Sequence, residues 1–165
     1  MKYTLYLIII WIPMILFPKT KSSIHIDPGS LIEYVFIDSM SAGEIYDNLA
    51  DLLPFPPYGF DVSIYKLIYE TTDTQGNMTI ASGALAIPNT GSSHVPLLSF
   101  QHGTVLERDQ VASEYGFDIL SMWLGTSGYV TALPDYLGLG VSEIFHPYII
   151  ADPSANSVID MLRAS

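Results

Sequence analysis

The chain contains no cysteine, and this absence excludes several kinds of site at once. Disulfide frameworks, thiolate nucleophiles, zinc ribbons and iron–sulfur clusters all need cysteine sulfur. The lipid-modified cysteine that anchors bacterial lipoproteins is excluded for the same reason. Stability must therefore come from a hydrophobic core, and 165 residues of which 49% are hydrophobic provide enough material for one domain.

Positive charge is also scarce in this sequence. Six Lys and Arg residues oppose 17 Asp and Glu residues, which gives a formal net charge of −11. Such a charge repels phosphate backbones and acidic membrane surfaces, so we expect no nucleic-acid partner. The histidines lack metal-ligand spacing and no H-E-x-x-H motif is present, so neither a metal ion nor another cofactor is expected. The four histidines are His25, His94, His102 and His146.

The N-terminus has the layout of a secretory signal peptide. Lys2 gives a basic start, and residues 3–17 then carry no charge. This run is shorter than the roughly 20 apolar residues of a membrane span, and Pro13 interrupts it. We therefore predict a signal peptide over residues 1–23 and a secreted or extracytoplasmic protein. An uncleaved leader that anchors the chain in a membrane is the alternative.

The remainder divides into an N-terminal extension, residues 24–61, and an α/β domain, residues 62–165. In the extension, Ser41 lies three residues before Glu44 in a capping-box pattern, and apolar residues follow at helical spacing. These features predict a short helix. The prolines and glycine of residues 54–59 end it.

Strand patterns begin at residue 62. Two runs rich in β-branched and aromatic residues flank the turn sequence "DTQGN" and predict an antiparallel hairpin. The apolar run of residues 95–101 predicts a central strand covered on both faces, and residues 129–133 predict a second buried strand. A stretch of helical character separates these two strands, so the pattern predicts a parallel βαβ unit with flanking helices.

The last segment, "DPSANSVIDMLRAS", predicts another helix. Asp152 suits the N-cap and Pro153 the first helical position. Ala155, Ile159 and Leu162 recur at helical spacing, so they are expected to form its buried face.

The triplet His102-Gly103-Thr104 directly follows the predicted strand of residues 95–101. In an open parallel sheet, ligands bind beyond the carboxyl ends of the strands. Gly103 would let the backbone turn and direct the Thr104 N–H at a reacting oxygen, as the oxyanion hole of acyl transfer requires. The alternative is a simple strand-ending turn whose histidine is held by structural hydrogen bonds.

A second glycine-containing motif, "PDYLGLG", follows the predicted strand of residues 129–133. Gly138 and Gly140 have the G-x-G spacing of a dinucleotide fingerprint, but Glu143 stands where the third glycine belongs. A carboxylate there would repel a pyrophosphate, so we reject a nucleotide site. Asp135 is expected to bond nearby backbone amides, and Tyr136 is either a pocket residue or a packed aromatic.

Four blocks, "SFQHGT", "GYVTALPDYLGLGVS", "HPY" and "SVIDMLRA", resemble α/β-hydrolases of the secretory-lipase-like group in order and spacing. The resemblance covers residues 63–165, and the chain is more loosely similar to prolyl-oligopeptidase-type serine hydrolases. It implies an α/β-hydrolase sheet whose first two strands are the hairpin and whose third strand ends in the oxyanion loop. The implied site residues are Thr104 as the oxyanion N–H donor, Gly103 and His102 as residues that orient its loop, and Asp135, Tyr136, Gly138 and Gly140 as pocket or structural-loop positions.

The sequence departs from this family at the nucleophile. The family carries its serine in G-x-S-x-G, followed along the chain by the acid and the histidine. The near-match at residues 140–144 ends in Ile144 instead of glycine, and the one at residues 91–95 ends in Val95. The resemblance therefore places the serine, the acid and the catalytic histidine beyond Ser165.

These expectations describe the N-terminal portion of an exported serine hydrolase of the esterase or lipase type. The substrate of the complete enzyme would be a small-molecule ester or a lipid, and the partial sheet would be inactive by itself. Two alternatives stay open: a non-catalytic exported domain or remnant on a hydrolase fold, and part of a prolyl-oligopeptidase-like peptidase.

Overall fold

The computed structural model describes residues 27–165, so the predicted signal peptide of residues 1–23 lies outside the described residues. The strands are β1 Leu31–Met40, β2 Val62–Thr72, β3 Met78–Pro88, β4 Leu97–Ser99 and β5 Val130–Pro134. The helices are α1 Ala42–Ala50, α2 Ala112–Tyr115, α3 Ile119–Thr126 and α4 Ala151–Ala164. None of these helices is long and apolar enough to cross a membrane.

The strands form one mixed sheet in the order β1-β2-β3-β5-β4. The pairs β1–β2, β2–β3 and β3–β5 are antiparallel, whereas the pair β5–β4 is parallel. The predicted hairpin is β2–β3, and the predicted parallel pair is β4–β5, so both predictions are confirmed. Helices cover both faces, because α4 packs on one face and α1, α2 and α3 lie on the other.

The strand β1 is not among the strands that the sequence patterns predict. It pairs with β2 along its length, with two register shifts, and forms one edge of the sheet. The run is rich in β-branched and aromatic residues, but Glu33 and Asp38 interrupt a clear alternation. The expectation that the hairpin supplies the first two strands is therefore wrong, since β1 precedes the hairpin and extends the sheet into residues 24–61.

The predicted central strand of residues 95–101 is shorter and more exposed than expected. Only Leu97–Ser99 form β4, and Leu97 is 46% exposed. The reason is its position in the sheet: β4 pairs with β5 on one side, and its other side has no strand within residues 27–165. The helical stretch that follows is also broken, because Gly116 with φ +79° separates α2 from α3.

The structure confirms the positions of the two predicted helices that became α1 and α4, but the N-cap of α4 differs from the prediction. Ser41 and Glu44 form the predicted capping box of α1. In α4, however, the N-cap is Ile150, so Asp152 and Pro153 lie in the first turn.

The predicted buried face of α4 is confirmed at Leu162, which packs against the hydrophobic core, and is wrong at Ala155 and Ile159. Ala155 and Ile159 are exposed, and the helix buries the polar residues Ser157 and Asp160 beside the apolar Met161. The physical reason is hydrogen bonding: the Tyr69 hydroxyl donates to the backbone oxygen of Ser157 at 2.9 Å, and the hydroxyl of Thr71 donates to Asp160 at 2.8 Å. Polar residues that find such partners can be buried at little cost.

Candidate functional site

Two loops meet at the carboxyl ends of the parallel strands β4 and β5. The HGT loop, residues 102–104, follows β4, and the DYLGLG turn, residues 135–140, follows β5. The Nε2 atom of His102 lies 3.2 Å from the backbone oxygen of Asp135, and the ring centroids of His102 and Tyr136 are 4.7 Å apart. The structure therefore brings together the two motifs that the sequence singled out.

Both ring nitrogens of His102 face backbone carbonyl oxygens. Nδ1 lies 2.7 Å from the oxygen of Gly103, and Nε2 faces the oxygen of Asp135. A neutral imidazole donates to one of these oxygens, and an imidazolium donates to both. With a proton on Nε2, in the imidazolium or in that neutral tautomer, the ring donates to the Asp135 oxygen and ties the HGT loop to the DYLGLG turn. This is an orienting contact and not the contact of a general base with a serine.

Thr104 has an engaged hydroxyl and an unengaged N–H. Its Oγ1 atom lies 2.7 Å from the Tyr148 hydroxyl oxygen. Among the hydrogen bonds of residues 27–165, none has the Thr104 N–H as donor, and the residue is exposed. An N–H in this state is free to donate to an incoming ligand oxygen.

A cavity of about 270 Å³ lies in front of the HGT loop. Besides this loop, its lining includes Tyr136, Ser154 and the segment of residues 146–149. The Nδ1 atom of His146 lies 2.6 Å from the backbone oxygen of Leu137, which fastens this segment to the DYLGLG turn. A second cavity of about 340 Å³ shares Tyr136 and Ser154 with the first and is otherwise lined by Gln101, Ala155, Val158 and Ile159.

Sequence reasoning missed the part that the segment 146–149 plays in this cavity. The block "HPY" contributed to the family resemblance, but no contact with the HGT loop was expected from it. Tyr148 is 44 positions from Thr104 along the chain, and pairings of this kind follow no periodicity. Ile149 adopts φ +57°, a conformation that is strained for a β-branched residue and is often found near functional sites.

Asp135 is buried and bonded to two other elements. Its Oδ2 atom accepts hydrogen bonds from the hydroxyl of Ser82 on β3 at 2.6 Å and from that of Ser113 on α2 at 2.5 Å. Its Oδ1 atom faces the Ser113 N–H at 3.3 Å. Burial raises the pKa of the Asp135 carboxyl above its ordinary value, and the hydrogen bonds from the two serines oppose that rise.

This shift predicts a pH dependence of stability. Because the folded-state pKa of Asp135 is raised, its contribution to stability is present below about pH 4 and is lost as the pH rises through the folded-state pKa. Asp135→Asn removes the titration. We therefore expect the free energy of unfolding of the parent to fall relative to that of Asp135→Asn as the pH rises from about 4 toward neutrality. Urea unfolding across this range measures the difference, and a parent that gains on the variant with rising pH would contradict the prediction.

The two glycines of the DYLGLG turn occupy positions that a side chain cannot take. Gly138 has φ +78°, and a Cβ there would lie 2.4 Å from backbone atoms of His146. Gly140 has φ +55°, and a Cβ there would lie 2.3 Å from the Ser82 hydroxyl. The Gly140 N–H also donates to the backbone oxygen of Arg108 at 2.9 Å, so the turn contacts the chain beyond the HGT loop as well.

The serines nearest to the family motif are not placed as nucleophiles at this cavity. Ser142, from the near-match at residues 140–144, is fully buried and its hydroxyl has no partner in the described part of the chain. Ser93, from the other near-match, contacts His94 at 3.1 Å but precedes β4, at the opposite end of that strand from the cavity. Ser154 lines the cavity, but its hydroxyl donates to the backbone oxygen of Ile150 at 2.8 Å.

No group of three or more His, Asp or Glu side chains is arranged to hold a metal ion within residues 27–165. No protein-family model matches the sequence. A comparison with curated proteins likewise finds no match.

Solved structures do match the chain. A proposed hydrolase from Legionella pneumophila has a TM-score of 0.74 and 37% sequence identity, and the match covers 81% of this chain and 38% of that one. The rice cell wall degrading esterase LipA from Xanthomonas oryzae has a TM-score of 0.75 and 32% identity, with 83% of this chain and 36% of that one covered. The chain has part of an α/β-hydrolase fold.

A more distant structure agrees with this assignment. Candida antarctica lipase A has a TM-score of 0.52 and 18% identity, with 84% of this chain and 31% of that one covered, and supports the α/β-hydrolase fold alone. The chain thus spans between 31% and 38% of the length of these three proteins. The resemblance stated from the sequence and the predicted fold class are confirmed. The division at residue 62 and the roles of the site residues stay predictions.

Proposed function

We propose that this chain supplies the oxyanion side of the active site of a serine hydrolase that acts on carboxylic esters. The observation that carries the proposal is the unengaged Thr104 N–H, held on the HGT loop at the mouth of a cavity beyond two parallel strands. Ligand sites of open α/β sheets lie at this edge. The name of the LipA esterase supports an ester substrate.

The proposed chemistry is acyl transfer through a serine ester. A serine oxygen attacks the ester carbonyl carbon while a histidine takes the serine proton, and that proton later leaves with the alcohol. The Thr104 N–H donates to the carbonyl oxygen as it becomes an oxyanion, together with an N–H adjacent to the serine. In this proposal the serine, acid and histidine lie outside these 165 residues, and the chain alone is inactive. The protein is exported by its leader.

The test is an assay of the gene product that extends in frame beyond Ser165, next to the 165-residue chain itself. We expect the extended product to contain G-x-S-x-G and to hydrolyse p-nitrophenyl esters, and the 165-residue chain to release no more product than buffer. In the source organism, the activity is expected outside the cytoplasm, either in the medium or in an extracytoplasmic fraction of the cells.

Each outcome of this assay tests a separate statement. Activity confined to the cytoplasm would contradict export. A stop codon after Ser165, or an extended product that cleaves peptide substrates but no ester, would overturn the ester hydrolase. Substantial ester hydrolysis by the 165-residue chain would overturn the placement of the serine outside it.

A further inference from the structure

The Asp135 carboxylate is buried without a cation in contact among the described residues. Lys66 attracts it from a distance, but the Lys66 ammonium is paired with Glu114 at 2.5 Å. Burying a carboxylate on neutral donors is costly, and an apolar side chain of similar size would fill the same space at a lower cost. Packing alone therefore does not account for this aspartate, and its hydrogen bonds supply another reason.

The Asp135–Ser82 contact fixes both ends of the DYLGLG turn. At the start of the turn, the Asp135 N–H donates to the backbone oxygen of Ser82 at 3.0 Å. After its end, the Val141 N–H donates to the Ser82 hydroxyl oxygen at 3.1 Å, and that hydroxyl donates to the Asp135 carboxylate. Ser82 lies on β3 in the interior of the sheet, so the turn is tied to a strand with neighbours on both sides.

The DYLGLG turn also contacts the HGT loop and the chain that follows it, at two points. The backbone oxygen of Asp135 faces the ring of His102, and the Gly140 N–H donates to the backbone oxygen of Arg108. These contacts bracket the stretch of residues 102–108, which contains Thr104. The place of the Thr104 N–H therefore depends on the turn, and the turn depends on the buried carboxylate.

We propose that Asp135, through Ser82 and Ser113, is the positioning residue for the Thr104 N–H. This inference rests on the proposed function, in which that N–H meets the substrate carbonyl oxygen. Asp135 acts through the DYLGLG turn and is not itself a catalytic residue, because its carboxylate is fully buried. Removing the carboxylate frees His102 from the turn and lets the HGT loop move, while the hydrophobic core stays in place.

The test is NMR on the full 165-residue chain labelled with ¹⁵N-histidine, which contains only four histidines. The variants are Asp135→Asn, Ser82→Ala and Ser113→Ala. The matched control is Asp160→Asn, which alters the other buried aspartate. Asp160 lies on α4, accepts from the Thr71 hydroxyl at 2.8 Å and pairs with Arg163 at 2.8 Å, and none of its hydrogen bonds within residues 27–165 reaches the HGT loop or the DYLGLG turn. The readouts are the ring ¹⁵N shifts of His102 and the solvent exchange of its ring N–H, with His94 as the internal reference.

We expect the three network variants to shift the His102 ring signals and to speed exchange of its N–H about tenfold, the factor that one lost hydrogen bond gives. Asp160→Asn is expected to leave His102 unchanged. Unchanged His102 signals in folded network variants, or an equal change in Asp160→Asn, would overturn the proposal. If Asp135→Asn does not fold, the two alanine variants decide. Since no hydrolysis is measured, this result is independent of whether the proposed ester hydrolase is correct.

Discussion

Thr104→Pro is expected to lower kcat about 10²–10³-fold in the proposed ester hydrolase, the loss typical of one missing oxyanion donor. Proline has no N–H, so the substitution removes the unengaged donor of the HGT loop and leaves nothing in its place. The donor is needed most when the carbonyl oxygen carries negative charge. The loss should therefore fall on kcat with little change in KM. Steady-state kinetics with a p-nitrophenyl ester measure both constants.

The matched control is Thr104→Ala, which keeps the N–H. It removes only the hydroxyl that lies 2.7 Å from the Tyr148 hydroxyl oxygen, so we expect a loss of less than about tenfold. Equal losses in Thr104→Ala and Thr104→Pro would show that the hydroxyl matters and the N–H does not. Near-parental kcat in a folded Thr104→Pro variant would remove Thr104 from the oxyanion hole. Circular dichroism and thermal unfolding establish that both variants are folded.

The sequence predicts that the HGT loop and the DYLGLG turn lie close together. It does not predict the hydrogen bonds that hold the DYLGLG turn in place. Parallel neighbours end at the same edge of a sheet, so the HGT loop and the DYLGLG turn had to lie close together once β4 and β5 were recognised as a βαβ unit. Ser82 and Ser113 lie 53 and 22 positions from Asp135, in a strand and a helix with no motif of their own. Nothing in the spacing of hydroxyl residues indicates which of them will share a carboxylate.

The errors in the fold have a similar origin. Periodicity places apolar residues inward, so Ala155 and Ile159 were expected to face the core, but α4 buries Ser157 and Asp160 against hydroxyl donors on β2. A hydrogen-bonded pair satisfies two polar groups at once, and a pattern that scores single residues cannot detect it. Ala155 and Ile159 are left beside the second cavity, where within residues 27–165 no strand or helix covers them.

Gly138→Ala is expected to destabilise the chain by roughly 2–5 kcal/mol, the sum of a left-handed backbone cost and an overpacking cost. Gly138 has φ +78°, and the added Cβ would lie 2.4 Å from backbone atoms of His146. Backbone atoms cannot rotate away as a side chain does, so the turn and the segment of residues 146–149 must separate. This separation would also stretch the contact between His146 and the backbone oxygen of Leu137. Urea unfolding measures the loss of stability.

Gly76→Ala separates the two costs in this prediction. Gly76 lies in the hairpin turn with φ +82°, nearly the same backbone conformation, and a Cβ there would have no atom within 4 Å. It should therefore cost only the backbone term, roughly 1–2 kcal/mol. The excess of Gly138→Ala over Gly76→Ala measures how tightly the DYLGLG turn is packed against the segment of residues 146–149. Equal losses in the two variants would mean that the segment of residues 146–149 moves away from the added Cβ at no cost in free energy. In that case its packing against the DYLGLG turn does not fix the position of the cavity wall opposite the HGT loop.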